Sequence, residues 1–140
     1  LAEHIPQVRL ILSIPGIGLI TATALFAFVG DVRRFSAGRH FASYLGLTPR
    51  ERSSGNRRSL GGISKRGDRY LRTLLIHGAR SVLAHAAKAK SYDRLRSWAL
   101  RLRDRTKYNK AAVALANRLA RIVWAVWSHD CAYEQHQKAA

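Results

Sequence analysis

A polar segment from residue 53 to residue 68 carries the side chains of this sequence that could do chemistry. It reads SSGNRRSLGGISKRGD and lies between two apolar regions with helical periodicity. Glycines let backbone amides approach an anion closely, and the arginine and lysine side chains supply compensating charge. A serine hydroxyl among them could be a nucleophile directed at a phosphate group. The same residues could equally grip a phosphate without any chemistry.

The bases in and around this segment form a dense group that only Glu51 and Asp68 oppose. Solvated faces normally mix both signs of charge, so a group of one sign is better explained as an anion-binding surface. The candidate phosphate-binding bases are Arg50, Arg52, Arg57, Arg58, Lys65, Arg66, Arg69 and Arg72.

The overall charge points to the same class of partner. The 140 residues contain 25 Lys and Arg against eight Asp and Glu, which gives a formal net charge of +17. A chain this basic favours a polyanion, and nucleic acid is the leading candidate. An anionic membrane surface is the alternative. The hydrophobic fraction of 47% is enough for one domain with a core.

The carboxylates are too few and too scattered to build a two-metal site for phosphoryl transfer. The sequence also lacks any Cys and His spacing that suits zinc. Its single cysteine, Cys131, fits a reducing compartment. We therefore expect no metal or cofactor in this chain and a cytoplasmic location.

An uncharged stretch from Leu10 to Gly30 has the length of a membrane span, but Pro15-Gly16-Ile17-Gly18 interrupts it. Two short helices joined by a tight turn explain the stretch better, so we expect no membrane contact. Such a turn resembles a helix-hairpin-helix, in which glycine amides and the following helix N-terminus bind a backbone phosphate. Gly16 and Gly18 are therefore candidate phosphate-binding residues. The alternative is an ordinary turn between helices.

Helical periodicity without strand alternation predicts an all-α fold in one domain at residues 1–130, with a frayed tail at 131–140. The helix-hairpin-helix-like part covers residues 5–30, with helices at about 5–14 and 19–29 and a closing glycine, Gly30. A third helix at 38–45 leads to a long basic Ser/Gly loop at 46–67. Three longer helices follow at 68–130, with Asp68 and Ser91 as caps and the last helix beginning at Asn109.

The helix that begins near residue 68 is predicted to be amphipathic. Its apolar stripe consists of Leu71, Leu74, Leu75, Gly78 and Val82. Its arginines, Arg69, Arg72 and Arg80, are expected to lie off that stripe. In the last helix, Trp124 and Trp127 are too apolar for a free surface, so we expect them to pack or to meet a partner.

An ordered set of motifs extends over nearly the whole chain and is far more specific than any one of its parts. The motifs are Pro15-Gly16-Ile17-Gly18, Phe35, the run 42–50, Ser54-Gly55, the run 63–68, Tyr70-Leu71-Arg72 and an apolar helix at 111–127. Together they resemble the C-terminal domain of insertion-sequence transposases of the one-ten family, the bridge-RNA-guided DEDD/serine transposases.

The resemblance implies a bacterial, nucleoid-associated transposase that recombines DNA through a covalent phosphoserine intermediate. It implies an N-terminal RuvC-like domain whose four acidic residues hold Mg²⁺, a structured guide RNA, and several protomers that build composite active sites. The serine of the family's Ser-Gly pair corresponds to Ser54, followed by Gly55, so Ser54 is the expected nucleophile. Ser53 and Ser64 are the nearby alternatives.

The sequence begins at Leu1 and contains no Met, so we expect a fragment without the RuvC-like domain. A serine hydroxyl is a weak nucleophile until a base, a metal or a cationic environment activates it. This chain by itself is therefore expected to be inactive. Three other interpretations stay open: a non-catalytic helix-hairpin-helix DNA-binding module, a basic RNA-binding structural protein, and a decayed remnant of a mobile element.

Overall fold

The computed structural model describes residues 2–54, 57–63, 68–86 and 94–133, with the backbone alone for its two strands. Short 3₁₀ helices lie at Ala2–His4 and Val32–Arg34. The α-helices and strands of these ranges are α1 (Pro6–Leu12), α2 (Leu19–Val29), α3 (Gly38–Tyr44), β1 (Pro49–Ser54), β2 (Arg57–Ile63), α4 (Arg69–His85), α5 (Arg94–Arg105) and α6 (Tyr108–Ser128).

The turn between α1 and α2 follows from its residue types. Pro15 fixes the φ that the second position of a β-turn needs, and Gly16 supplies a positive φ, 83°, at the third position. The amide of Ile17 closes the turn by donating to the carbonyl oxygen of Ile14 at 3.2 Å. The predicted tight turn between two helices is therefore confirmed.

Helix α2 has the bounds that the sequence predicts. Gly18 precedes it in an extended conformation, and Gly30, with a φ of 77°, ends it. Helix α1 is shorter than predicted, because the chain leaves the α-helix after Leu12 to enter the turn. Across the described ranges, none of the helices is both long and apolar enough to cross a lipid bilayer.

Helix α6 lies at the centre of the hydrophobic core, where it packs against α1, α3, α4 and α5. Its inward positions recur every three or four residues. Leu115, Leu119 and Val123 are therefore fully buried, whereas Arg118 and Arg121 are exposed. Burial of this apolar stripe is the main contribution of α6 to stability.

Two side chains of α6 donate hydrogen bonds to backbone carbonyl groups before and after α3. The indole nitrogen of Trp124 donates to the carbonyl oxygen of Phe35 at 2.9 Å. The side-chain nitrogen of Asn117 donates to the carbonyl oxygen of Leu47 at 3.0 Å. Trp127 is buried and Trp124 is half-buried, and both pack against the core. The entrance to β1 is fixed by these contacts, since Pro49 follows Leu47 by two residues.

The turn before α2 rests against the middle of α4, backbone to backbone. A Cβ atom on Gly78 would collide with the carbonyl oxygen of Gly16. A Cβ atom on Gly16 would lie 2.7 Å from a methyl carbon of Val82 and 2.8 Å from the carbonyl oxygen of Gly78. Both positions therefore require glycine on steric grounds. The contact fixes where α4 lies relative to α1 and α2.

The all-α fold class is confirmed, because helices form the packed body of the chain. Within the segment predicted as a basic loop, β1 and β2 pair as an antiparallel hairpin, with an irregular register between Pro49 and Glu51. A ladder of this kind needs only backbone donors and acceptors. The lack of hydrophobic alternation in the sequence therefore gave no signal of it.

The expectation that Arg72 lies off the buried stripe of α4 is wrong, because the residue is only 9% exposed. At 100° per residue, position 72 shares a face with Ala79 and Leu83, which are both fully buried. The predicted stripe omitted the small residue Ala79, so the centre of the buried face was misplaced.

The tail was predicted to fray from residue 131, but residue 133 packs against the end of α1. Tyr133 is buried, and its amide donates to the hydroxyl oxygen of Ser13 at 2.9 Å. Residues 134–140 and the predicted cap Ser91 lie outside the described residues. Helix α6 begins at Tyr108, one residue before the predicted start at Asn109.

Replacing Gly78 by alanine tests the contact with Gly16. The added methyl group has no room between the two backbones, so we expect the free energy of unfolding to fall by about 1–3 kcal/mol. Urea unfolding followed by circular dichroism measures the change.

The matched control is Gly18→Ser. No described atom lies within 4 Å of a Cβ at this position, and serine is a favourable residue before a helix, so stability should stay the same or rise slightly. Unchanged stability in Gly78→Ala would show that the turn does not rest on α4.

Candidate nucleic-acid interface

The hairpin brings the backbone of the candidate nucleophile next to an arginine. The Cα partner of Ser54 is Arg57, and the partner of Ser53 is Arg58. Opposite residues in an antiparallel ladder have their Cα atoms about 4.5–5.5 Å apart. Arg57 and Arg58 are therefore neighbours of Ser54 and Ser53 across the ladder as well as along the chain.

Several predicted site residues are described only in part. The strands give the backbone positions of Arg50, Arg52, Ser54, Arg57 and Arg58, without their side chains. Four further candidates of the polar segment lie outside the described residues: Gly55, Ser64, Lys65 and Arg66. Their proposed roles remain predictions from the sequence.

Where the polar segment ends, Asp68 begins α4 as predicted. Its backbone is extended, and its carboxylate oxygen accepts a hydrogen bond from the amide of Leu71 at 2.9 Å. This is the N-cap geometry that satisfies one of the open amides of a helix start. The positive end of the dipole of a 17-residue helix therefore lies directly after the basic segment.

The two arginines in the first turn of α4 have opposite environments. Arg69 is exposed, as a residue that meets a polyanion from solution should be. Arg72 is 9% exposed, and its Nη1 atom is buried without a hydrogen-bond partner among the described residues. The sequence predicted phosphate binding for both arginines, but only Arg69 is exposed in the structure.

The two candidate glycines of the turn also differ. Gly16 packs on Gly78, so its missing side chain is required by packing. Gly18 is exposed, and no described atom lies within 4 Å of the position of a Cβ there. Binding of a phosphate at Gly18 stays a prediction from the sequence.

The turn that contains Gly18 and the exposed Arg69 lie at different points along α4 and do not converge on one site. The turn meets α4 at Gly78, nine residues after Arg69, which corresponds to about 13 Å along a helix. Duplex DNA carries about one charge per 1.7 Å of axis, so this distance spans several phosphates. At 100° per residue, Arg69 also faces the opposite side of α4 from Gly78, so the turn and Arg69 are separate candidate contacts.

An apolar groove beside the start of α4 was not expected from the sequence. It has a volume of about 650 Å³, and its exposed side chains include Leu19, Ile20, Phe28 and Tyr70. The rings of Phe28 and Tyr70 meet edge to face, with centroids 6.2 Å apart. The only hint in the sequence is that α2 is apolar on all sides, which also fits a fully buried helix.

Among the described residues, no three of the His, Cys, Asp and Glu side chains come together as a metal ion would require.

The sequence model of the transposase IS116/IS110/IS902 family matches residues 8–94. A probable family 20 transposase of Pseudomonas aeruginosa strain PAO1 is 49% identical over 127 residues, covering 91% of this chain and 37% of that protein. The transposase for insertion sequence element IS1111A of Coxiella burnetii is 48% identical over 121 residues, covering 86% and 33% respectively.

A more distant relative is the uncharacterized 43.6 kDa protein of insertion element IS110 from Streptomyces coelicolor. It is 31% identical over 140 residues, which cover 99% of this chain and 33% of that protein. The chain thus spans about a third of the length of the curated relatives that it matches.

Removing the carboxylate of Asp68 tests its role at the start of α4. We expect Asp68→Ala to lower the free energy of unfolding by about 1 kcal/mol, because the amide of Leu71 loses its acceptor. Asp68→Asn should lose less, since asparagine caps nearly as well. Chemical denaturation gives both values. Asp104→Ala, an exposed position in α5, is the control, and an equal loss there would refute a specific cap.

Proposed function

This chain belongs to the transposase IS116/IS110/IS902 family, and on that premise we propose that it is the DNA-binding, serine-bearing part of an insertion-sequence transposase. The complete enzyme would cut and rejoin DNA during transposition. One observation carries the proposal: the matched stretch, residues 8–94, contains every predicted site residue, from Gly16 to Arg72.

The proposed nucleophile is Ser54. Its Oγ forms a bond to the phosphorus of a DNA phosphodiester while the bond from phosphorus to one deoxyribose oxygen breaks. The serine proton passes to a base, and the departing oxygen takes up a proton. Rejoining is the reverse reaction with a new DNA hydroxyl, which releases the serine.

Developing charge on the phosphate oxygens needs positive groups close to Ser54. Arg57 and Arg58 follow it in the hairpin, and Lys65 and Arg66 follow in the sequence. Backbone amides around Gly55, Gly61 and Gly62 can approach the same oxygens. Preformed donors of this kind contribute most where charge develops in the transition state.

Activation of the serine is proposed to depend on the rest of the transposase. Eight carboxylates against 25 bases leave this chain short of the acidic residues that hold Mg²⁺. An acidic RuvC-like domain would supply the metal, which would lower the pKa of the attacking hydroxyl. The chain alone is then a DNA-binding module without activity.

The net charge of +17 also supports contact with more than one polyanion. We propose a structured guide RNA as the second partner and a homo-oligomer as the working assembly. Transposition requires chromosomal DNA, so the proposed location is the bacterial cytoplasm, at the nucleoid.

The serine assignment is tested in the complete transposase. Ser54→Ala should abolish strand transfer, because it removes the proposed nucleophilic oxygen, and should leave DNA affinity nearly unchanged. Strand transfer is followed on labelled element ends, and DNA binding by anisotropy. Ser64→Ala is the matched control and should stay active. Activity of Ser54→Ala would reject the assignment, and activity of Ser54→Ala together with inactivity of Ser64→Ala would move the nucleophile to Ser64.

The phosphate contacts are tested by the salt dependence of DNA binding. Replacing the exposed Arg69 by glutamine should reduce the slope of log K against log salt by about 1, for any DNA sequence. Arg39→Gln removes an equally exposed arginine on α3, outside the predicted surface, and should leave the slope unchanged. Equal slopes for the two variants would show that the candidate surface is not where DNA binds.

A further inference from the structure

The guanidinium of Arg72 stands out among the buried polar groups. Three side-chain atoms in the described ranges are buried without a hydrogen-bond partner: Thr23 Oγ1, Ser128 Oγ and Arg72 Nη1. Only the last belongs to a charged group. A buried nitrogen of a charged group without an acceptor destabilises the folded state, because its lost hydration is not replaced. Such a group needs an explanation, and an absent ligand is one.

Arg72 ends the first turn of α4, so we expect its side chain to lie near the start of the helix. It is the fourth residue of the helix, and helical side chains lean towards the N-terminus of their helix. The carboxylate of Asp68 accepts from the amide of Leu71. The amides of Arg69 and Tyr70 have no acceptor among the described residues, as is usual for a first turn.

We propose that the guanidinium of Arg72 and these two amides bind one backbone phosphate of the DNA. The inference deepens the proposed function, since it takes DNA as the partner. Phosphate fits this donor set because a guanidinium binds it through two parallel hydrogen bonds and a helix N-terminus favours an anion. The phosphate would be held at the N-terminus of α4.

Binding of phosphate by Arg72 can be measured in the protein without DNA. In the thermal unfolding of this chain, inorganic phosphate should raise the midpoint over sodium chloride of equal ionic strength, because it binds the folded state. Arg72→Met should raise the midpoint without phosphate by about 2–4 °C, since an unpaired charge is replaced by an apolar side chain of similar length. The same variant should lose the response to phosphate.

The control is Arg80→Met, an exposed arginine of the same helix, which should keep the response. Arg72→Lys is the conservative variant and should bind phosphate about tenfold more weakly, because lysine lacks the planar donor pair. For short duplex DNA, Arg72→Met should lose about tenfold in affinity, as expected when a charged hydrogen-bonding group is removed.

Three results would overturn the inference. A retained phosphate response in Arg72→Met, or in Arg72→Lys at full strength, would place the anion elsewhere. A lowered midpoint in Arg72→Met would show that the arginine has a structural acceptor. An equal rise with acetate would point to a carboxylate partner. None of these measurements involves strand transfer, so failure of the serine assignment would leave them unaffected.

Discussion

The close approach of Gly16 and Gly78 is the constraint on which the arrangement of the interface depends. It brings the α1–α2 turn into backbone contact with the middle of α4, where a single extra carbon atom on either residue would collide. The rings of Phe28 and Tyr70 form a second contact between α2 and α4, near the start of α4. The two helices therefore run in opposite directions.

At the start of α4, stabilising and destabilising features occur within one turn. The capping carboxylate of Asp68 stabilises the helix, and the exposed Arg69 costs little. The buried nitrogen of Arg72 has the opposite effect. Proteins commonly tolerate such a local cost where a residue serves binding and offset it through the core elsewhere. Here the buried stripe of α6 supplies that core.

The sequence predicts the helices well because their signals are local. The bounds of α2, the cap at Asp68 and the helix-ending Gly30 all follow from residue types within a few positions. The hairpin was not foreseen, since its backbone pairing needs no apolar alternation. The burial of Arg72 was not foreseen either, because small residues such as Ala79 define the packed face of α4 and carry a weak hydrophobic signal.

The candidate site also has features that the sequence predicts and features that it does not. The basic character and the order of the motifs are readable in the sequence, and the family match agrees with them. The sequence does not show that Gly16 packs while Gly18 stays exposed. The two glycines differ only in whether residues of α4 lie against them. Long-range contacts of this kind decide the roles of identical residue types.

The most direct test of the central claim is to map the covalent bond between protein and DNA. The complete transposase is trapped with DNA, digested with nuclease and trypsin, and analysed by mass spectrometry. Trypsin cleaves after Arg52 and Arg57, so it releases the peptide 53–57. We predict a nucleotide attached to Ser54 in that peptide. Attachment to Ser64, or no covalent adduct at all, would contradict the account.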